Sequence, residues 1–185
     1  SNTYAFTSTS GIWTSVSGSS SVTGTNTNEV RWGTSTGYGQ SGLRFDGAGA
    51  QSFDEGNTFY LGALTHFNWP ITNAASGATL QITLDFNRPD IANQTFSYNF
   101  NINETTNSFP CNSGWQQSST ACDDKITFPT SYGQTSFQIG DKLYTLKIDG
   151  FVNSYPSGTP VSQFITEEQR NNTAYLVGTL SSVLV

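Results

Sequence analysis

Between Ala78 and Asn87, Leu80, Ile82, Leu84 and Phe86 fall on one side of an extended chain, and Gln81, Thr83, Asp85 and Asn87 on the other. The rhythm returns between Thr95 and Asn103, where Phe96, Tyr98, Phe100 and Ile102 alternate with Ser97, Asn99, Asn101 and Asn103. Side chains of a strand point to opposite faces in turn, so this alternation predicts antiparallel strands with one buried face. The turn-rich Arg88 to Asn93 segment fits the connection between them. A further hairpin is signalled by Phe137-Gln138-Ile139, then Gly140-Asp141, then Lys142 to Val152, because Gly-Asp supplies the positive φ of a two-residue primed turn. Tyr144, Leu146 and Ile148 share a face of the return strand, and Ala174, Leu176, Gly178 and Leu180 share one of the last strand. Nearer the start, Phe6, Ile12-Trp13, Val30 to Gly33 and Leu43 to Phe45 read as short strands between Ser/Thr/Gly turns. Only Gln163 to Asn172, with Thr166-Glu167-Glu168 near its head, reads as a short helix. These elements predict an all-β, antiparallel β-sandwich, jelly-roll-like, with one short helix at most, over a single domain spanning residues 1–185.

Composition narrows the setting. Only 11% of residues are charged and 14% are aromatic, a profile of a β-rich secreted or surface protein with enough rings to fill a core. The chain carries no methionine and opens without a signal peptide, which reads as a segment of a longer exported protein. No apolar run approaches the roughly 20 residues of a membrane span, so no membrane insertion is expected. A net charge of −6 with seven Lys plus Arg argues against nucleic acid, which needs clustered cations.

Candidate chemistry gathers after the second alternating strand. Asn103, Glu104 and Asn107, then Asp123 and Asp124, place hard oxygen donors around a loop. Calcium takes six to eight such oxygens at about 2.3–2.6 Å. Capping of turns by Asn and Asp is the plainer account of the same residues. Between the two groups, Cys111 and Cys122 in an even count predict a disulfide that would bring them together, reduced thiols being the alternative. Asp46-Gly47 with Asp54-Glu55-Gly56-Asn57 forms a second calcium candidate through Asp46 and Asp54. Trp115, inside the cysteine loop and flanked by Ser, Gly and Gln, is with Asn112 a candidate ligand platform, or else it folds back onto the sheet. Tyr132 is placed on the same binding rim. Glu167-Glu168 reads as a solvated helix start. His66, the only histidine, reads as a hydrogen-bonded structural residue. With no nucleophile elbow, zinc-protease motif or P-loop, no enzymatic activity is expected.

Several phrases resemble the choice-of-anchor K domain of bacterial surface proteins. They are Asn28-Glu29-Val30-Arg31-Trp32-Gly33, Gln40 to Gly47, Phe59-Tyr60-Leu61-Gly62, Thr65-His66-Phe67-Asn68-Trp69-Pro70-Ile71, Asn103 to Asn107, Asp124-Lys125-Ile126-Thr127-Phe128 and the Tyr144 to Phe151 segment. The chain also resembles the calcium-dependent peptide-binding domain of RTX adhesins. The Cys111–Cys122 insertion departs from the family pattern. The resemblance implies an extracellular module at a bacterial cell surface, monomeric, using calcium to bind a protein or peptide ligand on another cell. A calcium-assisted carbohydrate-binding module, with a glycan partner, and a structural spacer domain are the competing expectations.

Overall fold

The computed structural model describes residues 2–128 and 134–185. Fifteen strands account for their regular structure. They are β1 (Thr3–Ser17), β2 (Val22–Thr23), β3 (Glu29–Trp32), β4 (Thr34–Ser35), β5 (Ser41–Gly47), β6 (Gln51–Asp54), β7 (Phe59–Asn68) and β8 (Ile71–Thr72). There follow β9 (Gly77–Arg88), β10 (Gln94–Asn103), β11 (Asp124–Thr127), β12 (Gln134–Ile139), β13 (Lys142–Val152), β14 (Gln163–Thr166) and β15 (Arg170–Leu184). One sheet has the order β14-β11-β10-β9-β1-β6, the other β12-β13-β15-β7-β5-β3-β2, and β4 pairs with β8. All pairings are antiparallel, and the architecture is a β-sandwich.

The alternating stretches behave as their patterns require. Leu80, Ile82, Leu84 and Phe86 of β9 are buried, as are Phe96, Tyr98, Phe100 and Ile102 of β10. The β12–β13 hairpin pairs Ile139 with Lys142 around Gly140-Asp141, with φ of 61° at Gly140. Trp13 and Trp32 are fully enclosed in the core between the sheets. Burial of side chains of this kind contributes about 1.5–3 kcal/mol each. Trp69 is only half-buried and stacks with exposed Tyr38 at 6.3 Å.

β1 brings the two sheets close together. It pairs within the six-stranded sheet, yet Thr9 N–H donates to Ala48 O and Trp13 N–H to Thr27 O, beside strands of the other sheet. Gly47 permits this approach, since a Cβ there would lie 1.8 Å from Thr9 O.

The expected helix at Gln163 to Asn172 is absent. The segment is β14, a tight turn through Gln169 at φ 61°, and the start of β15. Phe164, Thr166 and Glu168 all face inward, a period of two that belongs to a strand. Pairing of β14 with β11 supplies the hydrogen bonds a helix would have made internally.

Candidate metal centre

β10 ends at Asn103 and β11 opens at Asp124, with Asn103 paired opposite Lys125. This register sets Glu104 and Asp124 near each other. The disulfide Cys111–Cys122, with Cα atoms 5.7 Å apart, closes the intervening loop. The third member comes from the turn between β14 and β15. Thr166 stands opposite Asp124, and Glu168 lies two residues beyond it. Carboxylate oxygens of Glu104, Asp124 and Glu168 all lie within 4.8 Å of one another.

The cluster is closed to solvent. Asp124 is 0% exposed and Glu168 1%. Glu104 is half-exposed as a residue, but its Oε1 is sealed off. Asp124 Oδ1 accepts the backbone N–H and hydroxyl of Thr105 at 2.8 and 2.6 Å. Glu104 Oε1, Asp124 Oδ2 and both Glu168 oxygens have no hydrogen-bond partner. Among the described residues, none of the three carboxylates joins an ion pair.

Burial, reinforced by the neighbouring Asp124 charge, pushes Glu104 up to about 9 and Glu168 up to about 8. Burial also raises Asp124, against the pull of its Thr105 bonds. The Trp32 indole lies close enough to ease the Glu104 shift without making a full hydrogen bond. Three buried carboxylates with unfilled acceptors are costly as bare anions. A hard divalent cation would fill those acceptors and offset the charge, and an all-oxygen donor set suits calcium. The residues present therefore fit such an ion.

The other expected ligands are placed differently. Asp123 adjoins Asp124 but turns its carboxylate into the cysteine loop, accepting Gln117 N–H at 2.7 Å and Ser118 N–H at 2.9 Å as well as the Ser118 hydroxyl. Asn103 donates to Lys125 O at 3.4 Å, and Asn107 is exposed. Asp46 pairs with Arg44 at 2.8 Å and Asp54 accepts from Thr3 at 3.0 Å, both in exposed positions, and neither belongs to the acidic cluster.

Trp115 folds back onto its own loop. Its indole N–H donates to Asp123 O at 2.9 Å, and Lys125 Nζ sits 4.1 Å from its ring centroid. Trp115 and Asn112 nevertheless line a recess of ≈ 310 Å³ that also includes Asn103, Glu104 and Thr106. The recess thus meets the acidic cluster at Glu104. A larger open cleft of ≈ 800 Å³ runs along β14 and residues 153–162, but no titratable side chain lines it. Tyr132 lies outside the described residues.

Residue type alone does not mark Glu168 as a ligand, because Glu-Glu-Gln looks like a solvated helix start. The inward alternation of Phe164, Thr166 and Glu168 was the signal available. Behind the cluster, His66 Nδ1 meets Thr166 Oγ1 at 2.8 Å, and burial depresses the imidazole to about 3. Asn68 Nδ2 lies 3.1 Å from the same Oγ1.

No protein-family model matches the chain, and no curated protein matches it.

Proposed function

We propose that this chain is a calcium-dependent adhesion module of an exported bacterial surface protein, which binds a protein or peptide ligand on another cell. The observation that carries the reading is the convergence of Glu104, Asp124 and Glu168 within 4.8 Å, with buried oxygens that lack partners. A calcium ion there would neutralise the carboxylates and hold the β10–β11 loop against the β14–β15 turn. The recess beside Glu104, rimmed by Trp115 and Asn112, is the place for a short peptide segment next to that ion. The sequence resemblance to surface-protein domains supports the same setting. Binding, not turnover, is the expected activity: the one histidine is fully buried and neutral, tied to Thr166.

The carbohydrate alternative relies on an open aromatic face. Trp115 has its indole N–H committed to Asp123 and Lys125 over its ring, so the structure favours the peptide reading at this site.

Calorimetric titration of calcium into the chelator-treated protein, compared with Glu168→Gln, tests the ion. Heat of binding in the parent and its loss in the variant are expected. Peptide and glycan arrays probed with calcium and with chelator test the ligand. Calcium-dependent signal on peptides supports the proposal, and signal confined to saccharides overturns the peptide assignment.

A further inference from the structure

Asn68 closes β7 in the seven-stranded sheet, whereas Glu104 directly follows β10 and Asp124 opens β11, both strands of the six-stranded sheet. Its side chain is 0% exposed. The Nδ2 amine lies 3.3 Å from Thr166 O and 3.1 Å from Thr166 Oγ1. A carbonyl oxygen can only accept, so the amide must present its nitrogen to Thr166 and its oxygen away from it. That oxygen, Oδ1, is buried and has no hydrogen-bond partner.

Its neighbours place it beside the acidic cluster. Thr166, which grips the amine, is the strand partner of Asp124. Gln169 N–H donates to Asn68 O at 2.7 Å, fixing the residue after Glu168 against the Asn68 backbone. Asn68 is therefore held on both sides of Glu168 by the segment that delivers Glu168 to the cluster. A buried amide oxygen without a donor is costly, and Glu168, whose two oxygens also lack partners, lies between the two residues that hold Asn68.

We infer that Asn68 Oδ1 is a fourth oxygen ligand of the cation held by Glu104, Asp124 and Glu168. The inference rests on the cation reading above and adds a residue to it. With Asn68 included, the ion bonds both sheets as well as the β14–β15 turn that crosses between them. It fastens one layer of the sandwich to the other instead of tightening a single loop. The donor set becomes three carboxylates and one neutral amide. Its charge of about −3 exceeds that of a divalent ion, so a trivalent lanthanide is an apt probe.

The test uses terbium, excited through the tryptophans, and compares emission lifetimes in light and heavy water to count bound waters. Asn68→Ala is expected to weaken calcium and terbium roughly 10- to 100-fold. It should also admit about one extra water to the bound ion. Asn68→Asp, which keeps an oxygen in place, should retain the parental water count. A residue that only props the fold would lower the metal-free melting temperature of Asn68→Ala and leave the water count unchanged, which overturns the inference. The calcium-loaded structure gives a reading independent of any variant. Oδ1 at about 2.3–2.6 Å from the ion supports the assignment, and Oδ1 outside that range overturns it. If the parent protein binds neither calcium nor terbium, the cation reading and this one fall together. If it binds and Asn68→Ala binds equally well, only the Asn68 assignment fails.

Discussion

Thr166 stands directly opposite Asp124 in the β11–β14 pair, and its hydroxyl is shared with His66 and Asn68 of the other sheet. One residue thus joins the acidic cluster to a buried polar array behind it. Geometry at the cluster depends on strand register here, since a slip of one residue would turn Asp124 to the opposite face.

The neighbouring carboxylates of Asp123 and Asp124 should separate cleanly on mutation. Asp124→Asn is expected to abolish the calcium-induced rise in melting temperature. In the parent, a hundredfold excess of calcium over its dissociation constant should stabilise by about 2.7 kcal/mol. Asp123→Ala should cost about 1–3 kcal/mol for each loop amide left without an acceptor, yet leave calcium stoichiometry intact. Calorimetry and thermal melts on the two variants check both outcomes.

The pH dependence of the metal-free protein follows from groups with opposite shifts. Glu104 and Glu168, raised to about 9 and about 8, hold protons in the folded state that the unfolded chain releases. Their stabilisation is complete below the unfolded carboxylate range and is lost as pH rises through the folded values. His66, lowered to about 3 from 6.5, does the reverse, and its contribution is lost as pH falls below 6.5 toward 3. The metal-free melting temperature should therefore fall between pH 6.5 and 9, where the carboxylates act alone. Excess calcium should remove that decline, because the ion binds the deprotonated ligands. A metal-free midpoint that climbs over this interval would contradict the clustered carboxylates.

Gly47→Ala should destabilise the sandwich by about 1–3 kcal/mol, since the added methyl meets the Thr9 carbonyl and not a side chain that can swing away. Gly49→Ala, which meets nothing within 4 Å, should stay within about 0.5 kcal/mol of the parent. Urea denaturation of the pair isolates the close approach of β1 to β5.

Replacing Cys111 and Cys122 by serine should cost about 2–3 kcal/mol by freeing the loop in the unfolded chain. The calcium stoichiometry should survive, because β11 holds Asp124 through its pairing with β10 and β14. Guanidinium denaturation and calcium titration of the double variant measure the two effects separately.

The paired strands β9 and β10 were legible because their buried faces are wholly apolar. The β12–β13 turn was legible because Gly140 supplies the backbone conformation it needs. Glu168 was not, because a carboxylate on the inward face of a strand reads as polar surface unless its partners are known. Those partners, Glu104 and Asp124, arrive from other strands, and only the fold brings the three together. Asp123 reads as a ligand on chemistry alone. Its orientation is decided by the amides of Gln117 and Ser118, a local loop geometry that residue type does not encode.

Asp123 and Asp124 are joined by one peptide bond and serve opposite directions, one carboxylate inward to the acidic cluster and the other outward to the loop amides. Any rotation of that peptide that relieves crowding among the inner carboxylates must also drag the outer carboxylate, and with it Gln117, Ser118 and the segment carrying Trp115. The charge balance of the interior is thereby geared to the shape of the rim. A fluorescent label placed in the cysteine loop would act as a gauge for an ion it never touches.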